Sequence, residues 1–501
     1  MTTTDDGPPA AATVVLAEPS RRGRRHAGQH SATKGKDGRR HRRLLLWVLL
    51  AVGVLVVGGV TWVAVTRIDT PLARPVARPG VTAAIVVPGP SPLLPWPTKG
   101  QGAVAVPAIR FSAQSGPESP VPVASLTKMT TAVVILRDHP LPAGSDGPLI
   151  ALTPGDVAEY EAELKNDESS VAIEVGESLT ERQMLQALLT QSANDIAYSL
   201  AVWDAGSVPA FVVKMNALAA SLGMTDTHYV DASGYEPATV SSASDVLRVA
   251  AVGMATPAFA QTVALTSVTL PLVGTLKNIV TEVGTDGVVG IKSGYTSAAG
   301  ACMVLAAERT VRDRQVLVLV AVLGQPTPPP TQPKPSTSTT TTAPTAAHPP
   351  APPAAGSTTP TAPAPPTSTT TTTTIPRDDL PIADPFKYAR PTTDSLLAST
   401  AAAVTPVTVA TADQVVGTVS ATWGGRVHRV SYVTTADEWL LGWPGQQVAT
   451  ATQFTAIAPG SRAGTGIGTA LYAIGSQFRA VPLALAETVP EPSVWWRLAH
   501  A

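Results

Sequence analysis

Ser125 and Lys128, three residues apart in PVASLTKMTTAVVIL, are followed by apolar residues at helical spacing. At the start of a helix this spacing puts both side chains on one face, one turn apart. A serine hydroxyl becomes a useful nucleophile only when a base takes its proton. A lysine serves as that base only when burial or a second cation lowers its pKa from about 10.4. The pair therefore demands a dry pocket and another positive charge. Lys292, in GVVGIKSGYTSAAG, is the candidate for that charge. It ends an apolar, strand-like run and is followed by Ser293, Gly294, Tyr295 and Thr296. The glycine permits close approach of a ligand backbone. The two hydroxyls, of Ser293 and Thr296, suit a carboxylate together with the ammonium. Between these motifs lies LLTQSANDIAYSLA. There Ser192 is placed to relay a proton to a leaving amine. The Asn194 amide, both donor and acceptor, is suited to orient a peptide group.

Each motif alone has a plainer reading. S-x-N before a helix is commonly an N-cap, and K-S-G is commonly a turn. Ser31 and Lys34 repeat S-x-x-K in a basic tail where no pocket can form. The informative observation is the joint one, three motifs in order at element boundaries of one globular segment.

The elements that must position these residues follow from periodicity. Helices are expected over 125–137, 180–190, 192–203, 209–222 and 243–252, and strands over 299–307 and 315–323. Pro391 to Val404 is expected to be a helix with Thr393 or Asp394 as N-cap, and the remainder to form a small β-rich domain. Gln325 to Pro376, rich in Pro and Thr and nearly free of charge, cannot bury enough surface to offset ordering and is expected to be disordered. Such a tract is also a compositional candidate for O-glycosylation. The closing PSVWWRLAH is expected to pack on its own domain rather than on a membrane.

Over 501 residues the net charge of −1 hides a segregated distribution. Residues 21–43 are densely basic, and Leu44 to Thr66 is an uncharged apolar run. As a helix that run reaches about 34 Å, enough to cross a hydrocarbon core of roughly 30 Å. A nucleic-acid arm is therefore set aside in favour of a cytoplasmic flank obeying the positive-inside rule. The run is longer than a signal-peptide core and lacks a clear cleavage site after it, so an uncleaved anchor is expected. The single cysteine, Cys302 in AACMVLAAE, excludes an internal disulfide and reads as core. The scattered histidines form no H-E-x-x-H, and there is no G-x-S-x-G, so neither a metal or other cofactor nor an α/β-hydrolase site is expected.

S-x-x-K, S-x-N and K-[ST]-G in this order resemble the signature of the penicillin-recognising serine enzymes. Within them the chain is similar to the serine-type D-alanyl-D-alanine carboxypeptidases, the low-molecular-mass penicillin-binding proteins. ASLTKMTTA, ALLTQSANDIA, FVVKMNALAASLGMTDTHYVDASGY, SSASDVLRVA and VGIKSGYTSAAG carry the resemblance over residues 120–325. It implies an α/β (α+β) transpeptidase-like fold, a sheet with helices on both faces and a helical lobe. It implies that Ser125 attacks the penultimate D-alanine carbonyl with Lys128 as base. Ser192 would relay the proton to the departing D-alanine, and Asn194 would bind the peptide. Lys292, with Ser293, Gly294, Tyr295 and Thr296, would hold the carboxylate side, and Lys292 would keep Lys128 neutral. The N–H groups of Ser125 and Tyr295 would form the oxyanion hole. The implied partners are a peptidoglycan stem peptide and β-lactams as covalent inhibitors, with membrane contact through 44–66 and no nucleic acid.

Two departures stand out. Ser293 replaces the usual threonine of the third motif, and PWPTKGQGAVAVPAIRFSAQSGPESP differs from the family's opening strands. The expected organisation is a cytoplasmic tail 1–43, a transmembrane helix 44–66 and a spacer 67–82. A catalytic domain 83–408 follows, interrupted at 325–376, and then a β-rich domain 409–501 resembling an accessory domain of some members. The alternatives are a β-lactamase or D,D-endopeptidase with the same site, or a weakly active wall-binding scaffold. A β-lactamase calls for a positioned glutamate. The acidic run 156–168 offers candidates without singling one out.

Overall fold

The computed structural model of the protein describes residues 37–80, 84–142, 144–328 and 384–500. Helix α1, Asp37–Ile68, contains the apolar run, and its segment Arg40–Ile68 is long and apolar enough to cross a membrane. A short helix, Val494–His500, forms one compact unit with it. The ends of the two helices exchange hydrogen bonds. Arg67 Nη1 donates to Leu498 O at 2.8 Å, and Arg497 Nη1 donates to Ile68 O at 2.9 Å. The tryptophan-bearing tail thus packs on α1, where each arginine satisfies a carbonyl that a helix C-terminus leaves free.

The second unit, Ala73–Glu491, is built on an antiparallel sheet whose central strands are apolar on both faces. Its strands are β1 (Gln101–Val106), β2 (Phe111–Gln114), β3 (Val288–Thr296), β4 (Gly300–Val311) and β5 (Arg314–Gln325). They lie in the order β3–β4–β5–β1–β2. Neighbours along a strand face opposite ways. Ala103, Cys302, Val304, Ala306 and Leu319 enter one apolar core, while Val104, Met303, Leu305, Val318 and Val320 enter the other. Cys302 is buried there, as its apolar setting suggested. The segment that departs from the family pattern supplies β1 and β2.

Helices cover both faces. The first core holds α2 (Thr127–Asp138), α4 (Glu181–Thr190), α5 (Asn194–Ala205), α6 (Val208–Ser221), α7 (Ala243–Met254) and α8 (Pro257–Val263), with α3 (Pro154–Lys165) packed on α5. Helix α2 runs through the centre, with Thr127 to Leu136 all buried. A helix enclosed on every side needs no polar stripe. On the other face α9 (Ala389–Ala403) packs against β4 and β5.

Helix α9 begins earlier than its sequence suggests. Tyr388 is the N-cap, with no side-chain cap, so neither Thr393 nor Asp394 fills that role. Pro391 is tolerated in the first turn, where an N–H has no intrahelical acceptor. The Thr393 hydroxyl instead donates to Ala389 O at 2.7 Å inside the helix. Most of the Pro/Thr tract falls outside the described residues, and so does the expectation of disorder there. The chain leaves the sheet at Gln325, and α9 returns to the same sheet.

The remaining β region contains a six-stranded sheet and a two-stranded one. Val76–Pro79, within the stretch read as spacer, is an edge strand paired antiparallel with Val415–Trp423. An isolated edge of this kind needs only a short extended segment to satisfy one row of backbone groups.

Candidate active site

Ser125 lies in a 3-10 turn, Ala124–Leu126, that runs directly into α2. The turn is entered through a left-handed residue, Ala124, at φ 48°. Thr127 Oγ1 donates back to Ala124 O at 2.9 Å and fixes it. The positive end of the α2 dipole thereby faces the serine, a favourable place for a developing alkoxide.

Lys128 is fully buried, and its ammonium nitrogen has three partners. It lies 3.1 Å from Ser125 Oγ, 2.5 Å from Asn194 Oδ1 and 2.9 Å from Ser233 O. Burial lowers its pKa to about 8 against the pull of Asp231, Glu163, Asp195 and Glu168. A neutral amine keeps two N–H donors and one lone pair. Two of the three partners, Asn194 Oδ1 and Ser233 O, are carbonyl oxygens that only accept. Deprotonation therefore leaves the lone pair directed at the one partner that can donate, the Ser125 hydroxyl. In this arrangement a neutral Lys128 has its lone pair placed to accept the Ser125 hydroxyl proton.

Two loops hold this arrangement. The Asp231 carboxylate accepts from Ser233 Oγ at 2.8 Å, Gly234 N at 2.8 Å and Tyr235 N at 2.9 Å. That knot aims Ser233 O at the lysine. Gly234 has φ +83°, and a Cβ there would sit 1.9 Å from Ala124 O, so only glycine fits beneath the serine turn.

The other is the loop 166–171 with the end of α3 before it, around the N-terminus of α5. Asn194 N donates to Ser169 O at 2.8 Å, and Asn194 Nδ2 donates to Glu168 Oε2 at 2.6 Å. Asp195 N donates to Glu163 Oε2 at 2.8 Å, while Val171 N donates to the Asp195 carboxylate at 3.3 Å. Ala193, the N-cap of α5, has no capping side chain, so Glu163 of α3 caps the helix from outside. Burial raises Glu163 to about 9 and Asp195 to about 7.

Lys292 is fully buried on β3, and its ammonium donates to Ser293 O at 2.8 Å. Its pKa lies well below the usual lysine value, first through burial and then through the charge of Lys128. Ser293 is buried beside it, and Tyr295 and Thr296 are half-buried. The Thr296 hydroxyl accepts from Ala299 N at 3.1 Å and so serves the turn into β4. Gly294 packs against the serine turn, where an added Cβ would lie 2.7 Å from Ser125 N. Ser192 is buried in the turn between α4 and α5 at φ 62°, with no side-chain hydrogen bond among the described residues.

The structure thus joins Ser125, Lys128 and Asn194 by direct contacts and sets β3 against the serine turn. Asp231, Ser233, Glu163 and Glu168 complete the lysine's surroundings and were not singled out from sequence. Their only signals were polar residues within VDASGY and the acidic run 156–168, neither of which has a spacing that names a partner.

A peptidase family described as D-alanyl-D-alanine carboxypeptidase matches residues 112–327. The chain is 33% identical over 213 residues to a D-alanyl-D-alanine endopeptidase of Pseudomonas aeruginosa, covering 41% of this chain and 64% of that protein. It is 34% identical over 215 residues to a D-alanyl-D-alanine carboxypeptidase of Mycobacterium tuberculosis, covering 41% and 69%. A Streptomyces D-alanyl-D-alanine carboxypeptidase is 31% identical over 202 residues, covering 37% and 67%. The matches span about two thirds of these relatives' length, and the family match includes the serine, the lysines and the asparagine. On this evidence the chain belongs to the D-alanyl-D-alanine carboxypeptidase family of peptidases.

Proposed function

We propose that the protein is a membrane-anchored serine D-alanyl-D-alanine carboxypeptidase that trims the terminal D-alanine from peptidoglycan stem peptides. The observation that carries this reading is the buried Lys128 amine, 3.1 Å from Ser125 Oγ, with its other two contacts to carbonyl oxygens. In the first half-reaction Ser125 Oγ bonds to the penultimate carbonyl carbon while Lys128 takes the hydroxyl proton. Charge on the carbonyl oxygen is met by the N–H groups of Ser125 and Tyr295. The C–N bond breaks, and D-alanine leaves with a proton relayed by Ser192. Water then adds to the ester, its proton passes to Lys128, and the C–Oγ bond breaks to restore the serine. Asn194 holds the peptide backbone. Lys292, Ser293, Gly294, Tyr295 and Thr296 border the carboxylate end of the substrate. β-Lactams acylate Ser125 as mimics of the same substrate.

In this reading 44–66 spans the membrane, 1–43 stays in the cytoplasm and the rest faces the wall. Residues 83–408 form the catalytic domain with its insertion at 325–376, and 409–501 a β-rich domain. The test is D-alanine release from a pentapeptide ending in D-Ala-D-Ala by the full-length protein in detergent. Release is expected from wild type and is lost in Ser125→Ala; a folded wild type that releases none sinks the reading. The likeness to an endopeptidase motivates a parallel assay on a cross-linked dimer of stem peptides. Faster cleavage of the cross-link than of the pentapeptide would assign the endopeptidase instead.

A further inference from the structure

We propose that Glu168 is a positioning residue for the serine–lysine pair, setting which way the Asn194 amide faces and, through it, the proton balance of Lys128. The inference rests on the proposed acyl-enzyme chemistry. A carboxamide is nearly symmetric in shape but not in hydrogen bonding. For Asn194 Oδ1 to accept from Lys128, its Nδ2 must point elsewhere, and it points at Glu168 Oε2, 2.6 Å away. The flipped amide would set an NH2 against the lysine nitrogen and a carbonyl oxygen against the carboxylate. Both contacts are unfavourable, so one charged group at position 168 excludes the flipped state.

Glu168 is itself held in place. Asn166 Nδ2 donates to its other oxygen at 3.2 Å, and Asn194 N is tied to Ser169 O in the next residue. Asn194 Nδ2 keeps a second hydrogen for a substrate carbonyl. The chain Ser125–Lys128–Asn194–Glu168 thus runs from nucleophile to carboxylate through three hydrogen bonds. The titratable groups facing Lys128 are Asp231 from the 231–239 loop, Glu163 from α3, Asp195 from α5, Glu168 from the 166–171 segment and Lys292 from β3. Of the four carboxyl groups, Glu168 is the one bonded to the amide that touches the lysine. Its negative charge favours protonated Lys128, so its removal moves the activity limb set by that lysine to lower pH.

The test is the second-order rate of Ser125 acylation by a fluorescent penicillin, followed across pH in the full-length protein. Glu168→Ala, which frees the amide to flip, is expected to slow acylation roughly ten- to a hundredfold at the plateau. Glu168→Gln keeps an acceptor and is expected to recover most of that rate, while both variants shift the acid limb to lower pH. Recovery of rate without recovery of the pH profile is a signature that loss of packing does not produce. Should Glu168→Ala lose its fold, the isosteric Glu168→Gln still reports the shift. Wild-type rate and profile in Glu168→Gln would overturn the proposal. Penicillin acylation is read separately from D-alanine release, so a wild type that is acylated but releases no D-alanine fails the carboxypeptidase reading alone.

Discussion

At the scale of single residues, the central quantity is the charge on Lys128. The three contacts of its nitrogen suit an ammonium with all donors used as well as a neutral amine that donates twice and accepts once. Only the neutral form takes the serine proton. Its pKa is depressed from the ordinary lysine value to about 8, so the neutral fraction grows as pH rises toward 8 and saturates above it. The specificity constant for D-alanine release is therefore expected to climb about tenfold per pH unit below that point and to level off above it. A kcat/KM profile between pH 5 and 10 checks this. A limb centred near 10.5 would mean the lysine is not desolvated in solution, and the base would have to be sought elsewhere.

At the scale of elements, the site depends on how helix α5 is begun. Its N-cap residue offers no side chain, so the free N–H of Asp195 is met by Glu163 of α3. Glu163 is buried, one of its oxygens has no hydrogen-bond partner among the described residues, and its pKa is raised to about 9. A carboxyl raised on folding holds its proton in the native state while the unfolded chain has lost it. Between about 4.5 and 9 the native state binds more protons, and stability falls as pH rises through that window. Asp195, raised to about 7, adds to the lower part of the same slope. Glu163→Gln keeps the acceptor for Asp195 N but cannot ionise. Its melting temperature is expected to fall less than wild type between pH 5 and 9, and parallel melting curves would contradict the assignment. Glu163→Ala removes the cap itself, worth about 1 kcal/mol.

At the scale of the whole molecule, the β-rich region shares a core with the central sheet. Val104, Met303, Leu305 and Val320 of the sheet and Leu396 of α9 belong to the same apolar cluster as Val407, Leu440, Tyr472 and Leu483. Trp443 stacks on Phe111 of β2 at 3.8 Å with an interplanar angle of 14°. Arg314, at the start of β5, lies 3.8 Å from the centre of the Trp439 ring. Backbone contacts seal the same seam, with Ser476 N donating to Ala108 O at 3.2 Å and Gln446 Nε2 to Ile109 O at 2.8 Å. Trp443→Ala is expected to cost about 3 kcal/mol or more. It should lower one cooperative transition in calorimetry rather than one of two. A separate, unshifted transition for the catalytic region would show that the β region folds as an independent module.

The sequence by itself determined the local and the repetitive. The apolar run of α1, the helices following Ser125 and Asn194, and the two-faced strands around Cys302 are periodic signals that need no distant partner to be legible. Motif order singled out Ser125, Lys128, Lys292 and Asn194, because their types and spacing admit few chemistries, and the structure brings Ser125, Lys128 and Asn194 into contact. Tertiary structure decided what lies opposite them. Ser233 meets Lys128 from 105 residues away and Glu168 meets Asn194 from 26, with Asp231 and Glu163 acting on Lys128 through their fields, and no pattern in one segment encodes that meeting. The edge strand at Val76 and the packing of the tryptophan tail on α1 were likewise settled by which partner satisfied free backbone groups. The candidate chemistry was readable because side-chain types limit it; the surroundings of the lysine were not, because they come from carboxyl and carbonyl groups that only folding brings together.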